Sequence, residues 1–247
     1  MRDDLLDAQA CIDWSVAQLE VLEVKFGTWC DTNLKVRVKD ADHEAADKPV
    51  VIFRDALLPA AFHVEIGCIV NTIRSSLDLL ATSLAQRYGM ANPSKAYFPF
   101  ANDAAEFCSG KFRGFKFIQA LPKPEQAIIK LLKPYEGGNS TLWALHQLDI
   151  MRKHRRLLTV TSHAGTFSIS GWGVAGKFKA ADASWIAVSD QEALIGHLAA
   201  SVTDYKMKVT GYIAIDEIML AGRKPAIAAL REFASSAESI INLFDDA

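Results

Sequence analysis

The pattern of hydrophobic and polar positions divides the chain into helical and extended segments. Apolar residues recur with the spacing of amphipathic helices in segments 4–26, 59–88, 123–132, 139–154 and 225–244. Apolar and polar residues alternate, as in half-buried strands, in segments 33–39, 49–54, 166–174 and 205–216. A capping box at Ser189–Glu192 predicts a further helix from there to about residue 202. Segment 89–122 is aromatic, contains prolines and is predicted to be irregular.

Segment 59–88 is predicted to form the central helix of the fold. Over residues 56–86 the only formal charges are Glu65, Arg74 and Asp78. A surface helix of this length would carry many more charged residues. We therefore expect this helix to be covered by protein on most sides.

These elements predict an α+β protein, because helices and antiparallel strands are mixed without the spacing of β-α-β units. We expect a helical core over about 59–156, around the central helix. A mostly strand-bearing region over about 157–216 would place an antiparallel sheet at one side of this core, and a C-terminal helix would span about 225–244. The sequence shows no linker rich in Pro, Gly or Ser, so we predict a single domain over residues 1–247.

Two of the predicted helices carry a polar face. The residues that share these faces are Asn71, Arg74 and Asp78 on the central helix, and His146, Asp149 and Lys153 on segment 139–154. Because an unpaired buried charge costs several kcal/mol, we expect Arg74 to form a buried ion pair with Asp149 or with Asp78. Packing of the two helices would also let Asp78 meet Lys153, His146 or His154.

The same residues carry a resemblance to a known group of proteins. The segments N-T-I-R-S-S-L-D-L-L (71–80) and, after an F-P-F segment, L-W-A-L-H-Q-L-D-I-M-R-K-H-R (142–155) resemble the paired signatures of a widespread group of bacterial proteins without an assigned activity. Those signatures are approximately L-R-S-A-L-D-H-L and L-W-x-L-H-x-L-D-x-x-K-H-R. The similarity covers residues 59–158, and Leu79 stands where a histidine is common. The resemblance implies a shared fold, and its matches include His154 and Arg155, which complete the candidate binding residues.

A more distant resemblance is to HEPN domains, helical bundles that often act as ribonucleases through an Arg-x4–6-His motif. Arg37 with His43, and Arg156 with His163, have this spacing. About one such match is expected by chance in a chain of this composition. Two matches are therefore not an excess, and the spacing alone assigns no catalytic residues.

Two basic runs are the candidate contacts for phosphate. The run 152–156 lies at the end of a predicted helix, where cations also complement the helix dipole. The run 111–117 interleaves basic and aromatic residues as single-strand binders do, although a loop anchored by its phenylalanines explains the same pattern. If the protein binds RNA or a nucleotide, we expect the contacts at Arg152, Lys153, Arg155 and Arg156, with Lys111, Arg113 and Lys116 as a second group.

Composition and charge narrow the function classes. The net charge of −2 argues against a protein that coats nucleic acid or membrane by bulk electrostatics. Residues 157–176 are uncharged, but ten of the twenty are Gly, Ser or Thr, so we predict no membrane span. The amino terminus is acidic within four residues and does not resemble a secretory signal. We therefore expect a cytoplasmic protein.

The cysteines and histidines do not have the spacing of metal ligands. Cys11, Cys30, Cys68 and Cys108 are dispersed without a C-x-x-C pair, which favours buried free thiols over disulfides or zinc. A metal site would have to combine His146, Asp149, Asp78 and His154, and no paired ligand motif supports it. We expect no metal and no cofactor.

Two functional hypotheses follow. In the favoured one, the protein is a non-enzymatic structural or interaction protein, and the polar faces form a charged network between two core helices. In the alternative, it binds a phosphate-bearing ligand, a nucleotide or RNA, and acts in a HEPN-like manner with His146, His154 and Asp149 as catalytic candidates. A network that lines a cleft would favour the alternative. Homo-oligomerisation is compatible with both hypotheses.

Overall fold

The chain mixes helices with antiparallel strands, which confirms the α+β class predicted from the sequence. This computed structural model describes residues 1–40, 47–171, 174, 178–180, 187–189, 192–217 and 224–245. The helices are α1 (Leu6–Asn33), α2 (Ala60–Arg87), α3 (Ala104–Ser109), α4 (Phe115–Ala120), α5 (Lys123–Leu132), α6 (Ser140–His154) and α7 (Ala226–Asp245). The strands are β1 (Leu34–Val38), β2 (Asp47–Arg54), β3 (Val160–Ser170), β4 (Phe178–Ala180), β5 (Ala187–Ser189), β6 (Glu192–Ala199), β7 (Lys206–Ile215) and β8 (Lys224–Pro225). Short 3-10 helices span Asp3–Leu5 and Pro93–Lys95.

Packing divides the chain into two units. Unit 1 contains Met1–Val21, Ala60–Thr159 and Ile215–Ala247, and unit 2 contains Leu22–Pro59 and Val160–Ala214. Helix α1 contributes its first part to unit 1 and its second part to unit 2. The single domain over residues 1–247 stays a prediction.

Helix α2 is the centre of unit 1, as its low charge predicts. Ile66, Ile73, Leu77 and Leu80 of this helix are each 0 % exposed. Helices α6 and α7 both pack against α2. Since complete burial of one such side chain stabilises a fold by about 1.5–3 kcal/mol, this helix contributes much of the core of unit 1.

The ends of α2 and α6 follow from local chemistry. Gly89, two residues after α2, has a φ of 65°, a left-handed conformation that glycine adopts without the steric cost of a side chain. Asn139 precedes α6, and its side-chain oxygen accepts a hydrogen bond of 3.0 Å from the backbone N–H of Leu142. This N-cap satisfies a donor that would otherwise lack a partner.

Unit 2 is built on an antiparallel sheet in the order β1-β2-β6-β4, with β5 also pairing with β6. The strands predicted at 33–39 and 49–54 are confirmed, and they pair with each other as β1 and β2, from Leu34 opposite Arg54 to Val38 opposite Val50. Strand β3 pairs with β7 in a second sheet. Both correspond to strands that alternation predicts near 166–174 and 205–216, although β3 begins earlier, at Val160.

The predicted helix from Ser189 to about residue 202 is wrong, because Glu192–Ala199 forms strand β6. This strand pairs with β2 on one side and with β4 and β5 on the other. Its side chains Ala193, Ile195 and Leu198 are buried. An apolar run of this length suits a strand or a helix, and tertiary pairing with β2 decides between them. Within the capping box, residues 190 and 191 lie outside the described residues.

The cysteines are free thiols, as predicted, but they are not all buried. Cys30 is buried, Cys11 and Cys68 are partly buried, and Cys108 is exposed. Cys108 differs because it lies on α3, a short helix without a buried residue. Within the described ranges, no helix is both long enough and apolar enough to cross a bilayer.

Candidate functional site

The packing of α2 against α6 brings the two predicted polar faces into contact. Asn71 donates a hydrogen bond of 2.9 Å from its side-chain nitrogen to Oδ1 of Asp149. One helical turn further along α2, Nε of Arg74 donates to Nδ1 of His146 over 3.4 Å. The two helices therefore share one polar interface, and its two halves have different surroundings.

The first half, around Asp149, is closed. Asp149 is 4 % exposed, and its second carboxylate oxygen lies 2.7 Å from Nζ of Lys153. Both carboxylate oxygens thus have a partner, one from each helix. This satisfied arrangement is typical of a structural ion pair, since a buried carboxylate needs its hydrogen bonds filled.

The second half is built on Arg74, which is only 5 % exposed. Its Nη1 lies 2.8 Å from Oδ1 of Asp78, which confirms the predicted buried ion pair with the Asp78 partner. Asp149, the other predicted partner, is bound by Asn71 and Lys153 instead.

The ion pair leaves hydrogen-bonding capacity on Arg74. The same Asp78 oxygen accepts a 2.9 Å hydrogen bond from the backbone N–H of Phe98. Nη1 is close to that oxygen, but its N–H bonds are not aligned with it, so Nη1 has no hydrogen-bond acceptor. Arg74 is therefore neutralised in charge but not saturated in hydrogen bonds.

His146 is held in its neutral form. Burial lowers its pKa to about 3, with smaller contributions from the positive charges of Arg74 and Lys153. Its ring stacks on Phe100 with centroids 4.1 Å apart and an interplanar angle of 6°. Because Nδ1 accepts from Arg74, the ring proton resides on Nε2, which is left as a donor.

This neutral histidine should make the stability of the protein sensitive to acid. The pKa of His146 is about 3 in the folded chain, against an ordinary value of 6.5. The unfolded chain therefore takes up a proton that the folded chain does not. Above the ordinary pKa of 6.5, His146 does not affect the free energy of unfolding. As the pH falls from 6.5 towards the folded pKa of about 3, the free energy of unfolding decreases progressively, because protonation favours the unfolded chain. Between about pH 6 and about pH 4, the free energy of unfolding of His146→Gln should therefore fall by about 1–2 kcal/mol less than that of the wild type.

Urea unfolding of the wild type and of the variant across that pH range measures this difference. His154→Gln is the matched control, because His154 is exposed on the same helix. The control should keep the wild-type dependence. If His146→Gln and His154→Gln gave the same pH dependence, His146 would not be the group that titrates.

Arg74 and His146 both line a pocket of about 750 Å³ in unit 1, called the Arg74 pocket here. Its charged lining residues are all cationic: Arg74, Lys95, Arg113 and Lys116. Its aromatic lining residues are Tyr97, Phe98, Phe100 and Phe117. Among the described residues, no carboxylate lines this pocket. Such a lining favours an anionic ligand.

Exposure differs between the floor and the mouth of the Arg74 pocket. Phe98 and Phe117 are 4 % and 8 % exposed, and Arg74 is similarly buried. Tyr97 is 41 % exposed, and Arg113 lies with its guanidinium carbon 4.2 Å from the centre of the Tyr97 ring. The floor of the pocket thus carries buried donors, and its mouth carries exposed cations and one exposed ring.

The remaining candidate residues lie outside the lining of the Arg74 pocket. Asp149 and Lys153 belong to the closed half, and His154 and Arg155 are exposed at the end of α6. Of the three catalytic candidates, only His146 lines the pocket.

The sequence did not identify several residues that line the Arg74 pocket, above all Phe100, Tyr97 and Lys95. They lie in the irregular segment that follows α2, where helical or strand periodicity gives no signal. The guanidinium carbon of Arg74 lies 4.6 Å from the centre of the Phe100 ring, a cation–π contact. The clustering of aromatic residues with prolines was the available signal, but it could not indicate which rings face Arg74.

Most of the basic run at the end of α6 is already bound within unit 1. Lys153 pairs with Asp149, and Nη2 of Arg156 lies 2.9 Å from the carboxylate of Glu217. Arg152 directs Nη2 towards the sulfur of Cys68 at 3.5 Å. By contrast, Arg113 and Lys116 of the second run line the Arg74 pocket, while Lys111 does not.

The structure describes only one of the two Arg-x4–6-His matches, Arg156 with His163. His43 lies outside the described residues. Both terminal nitrogens of Arg156 donate to Glu217, so that arginine is engaged in an ion pair. Within the described ranges, no cluster of His, Cys, Asp and Glu has the geometry to hold a metal ion.

Comparisons with protein-family models, with curated proteins and with solved structures found no match for this chain.

Proposed function

We propose that this protein binds a small phosphate-bearing ligand in the Arg74 pocket. The observation that carries the proposal is Arg74 itself. This buried guanidinium lines a pocket whose charged lining is cationic, and one of its terminal nitrogens, Nη1, has no aligned hydrogen-bond acceptor. Phosphate oxygens are the acceptors that a guanidinium binds best, because its planar donors match two of them at once.

His146 supports the same assignment. Its Nε2–H is a donor beside Arg74, and its ring is fixed by the stacking contact with Phe100. Donors that are held in place before the ligand arrives lose little conformational entropy on binding. The lysines and Arg113 at the mouth would attract the anion and surround it after binding.

The proposal is for binding and not for hydrolysis. A general base works best when its pKa lies near the working pH. The pKa of His146 is about 3, so its ring is a weak base at neutral pH. The nitrogen that accepts from Arg74 is also directed away from a ligand by that contact. The HEPN-like ribonuclease therefore gains no support from this histidine.

The structural hypothesis applies to the other half of the interface. Asn71, Asp149 and Lys153 satisfy one another and do not line the Arg74 pocket. We infer that this group fixes the packing of α2 against α6. The same helix pair then presents Arg74 and His146 to the ligand.

Removal of the cations at the mouth should weaken phosphate binding. We expect the double variant Arg113→Gln, Lys116→Gln to bind ribose 5-phosphate about 5- to 30-fold more weakly than the wild type, because each exposed charge contributes about 0.5–1 kcal/mol. Titration calorimetry at low salt measures the affinity. Both residues are exposed, so the variant should fold normally.

Lys111→Gln is the matched control, since Lys111 is an exposed cation of the same run that does not line the pocket. It should bind within about twofold of the wild type, because its side chain lies outside the lining of the pocket. Wild-type protein that binds neither ribose 5-phosphate nor a nucleoside monophosphate at low salt would exclude the proposed function. Equal losses in the control and in the double variant would show general electrostatic attraction and no defined site.

A further inference from the structure

The Arg74 pocket is larger and more apolar than a bare phosphate requires. Its volume of about 750 Å³ lies within the range of about 300–1,000 Å³ that is typical of sites for organic ligands. Beyond the cations, its lining is mainly aromatic and small apolar residues. This lining would gain nothing from an inorganic anion, so it indicates that the ligand has an apolar part.

The rings of the pocket are not equally available to that apolar part. Phe100 is covered by its contacts with His146 and with Arg74. Phe98 and Phe117 are almost completely buried. Tyr97 alone among these rings is substantially exposed, at 41 %. An incoming flat group therefore has its open aromatic surface at the mouth of the pocket.

Arg113 makes Tyr97 a suitable platform. Its guanidinium carbon lies 4.2 Å from the ring centre, so Arg113 covers part of one face of the ring and adds a second planar group for stacking. Nucleobases stack on aromatic rings and on guanidinium planes, and each stacked base contributes a substantial part of the affinity. The charge of Arg113 also suits a ligand that carries a phosphate.

We propose that the ligand is a mononucleotide, with its phosphate on Arg74 and His146 at the floor and its base stacked on Tyr97 beside Arg113. This inference rests on the proposed function and adds the class of the ligand. The sugar spans the wall between the two anchor points. A pocket of this size holds about one nucleotide, which favours a mononucleotide over an extended strand.

The test compares ligands that share the phosphate and differ in the ring. Wild-type protein is titrated with ribose 5-phosphate, adenosine 5′-monophosphate and uridine 5′-monophosphate. We expect at least one nucleotide to bind about tenfold or more tightly than ribose 5-phosphate. Tyr97→Ala should remove this preference, because it weakens binding of the nucleotides more than binding of ribose 5-phosphate, whereas Tyr97→Phe should retain the preference.

Trp14→Ala is the matched control, because Trp14 is a similarly exposed aromatic residue, at 45 %, that does not line the pocket. It should keep the wild-type preference.

Equal affinities for ribose 5-phosphate and both nucleotides would contradict stacking of the base on Tyr97 and would still support phosphate binding. A preference that survives in Tyr97→Ala would overturn the role of Tyr97. If single-stranded RNA bound more tightly than either mononucleotide, the ligand would be a polymer and the mononucleotide proposal would be wrong. Failure of all the phosphorylated ligands to bind would instead reject the proposed function.

Discussion

Replacing Arg74 with alanine should lower the free energy of unfolding by about 3 kcal/mol. Removal of one partner of a buried ion pair costs about 3–5 kcal/mol, because it leaves the other charge without compensation. The low end applies here, since Asp78 keeps 29 % of its side chain exposed and water can solvate the orphaned carboxylate. The substitution also removes the contacts of Arg74 with Phe100 and His146.

Urea unfolding measures this loss. Arg155→Ala is the control, because Arg155 is an exposed arginine at the end of α6, and its removal should change the stability by less than about 0.5 kcal/mol. Arg74→Lys separates stability from binding, since it keeps the charge but loses the planar fork. We expect it to be more stable than Arg74→Ala and still impaired in phosphate binding. An unchanged melting temperature of Arg74→Ala would contradict the buried ion pair.

Replacing Leu77 with alanine should destabilise unit 1 by about 2–5 kcal/mol. Leu77 is 0 % exposed on α2, the helix against which α6 and α7 both pack. The substitution removes three carbon atoms from a closed core and leaves a cavity, and both effects reduce stability.

Leu79→Ala on the same helix is the matched comparison. Leu79 is only partly buried, so we expect a smaller loss, of about 1 kcal/mol. Chemical denaturation of both variants gives the difference directly. Equal losses at the two positions would contradict the central position of α2, since its burial predicts a strong dependence on the face of the helix.

The sequence predicted the helices of the candidate site well, because both helices have strong periodicity and defined ends. The scarcity of charge around Arg74 indicated burial, and helical spacing placed it on the same face as Asp78. The choice between Asp78 and Asp149 depended on side-chain conformations and on the backbone N–H of Phe98, which approaches from an irregular segment. Spacing along one helix contains no information about that approach.

The pocket and strand β6 show two other limits. Tyr97 and Phe100 lie where the chain has no regular period, so their common orientation towards Arg74 comes only from tertiary packing. In β6, the local capping signal at Ser189 competed with the pairing of Glu192–Ala199 to β2, and the pairing prevailed. A local sequence signal determines the secondary structure of a segment only when no neighbouring strand edge offers that segment more favourable hydrogen bonds.

The contact between Arg74 and His146 has a consequence for selectivity. A guanidinium has no acceptor atom, and Nδ1, the acceptor nitrogen of the imidazole, already accepts a hydrogen bond from that guanidinium. Both side chains at the floor therefore offer donors only, and the low pKa of His146 keeps this polarity unchanged across the physiological pH range. A hydroxyl or a protonated phosphate oxygen would bring a hydrogen that neither side chain can accept. In the proposed site, such a floor would favour fully deprotonated phosphate oxygens over groups of the same size that carry a proton.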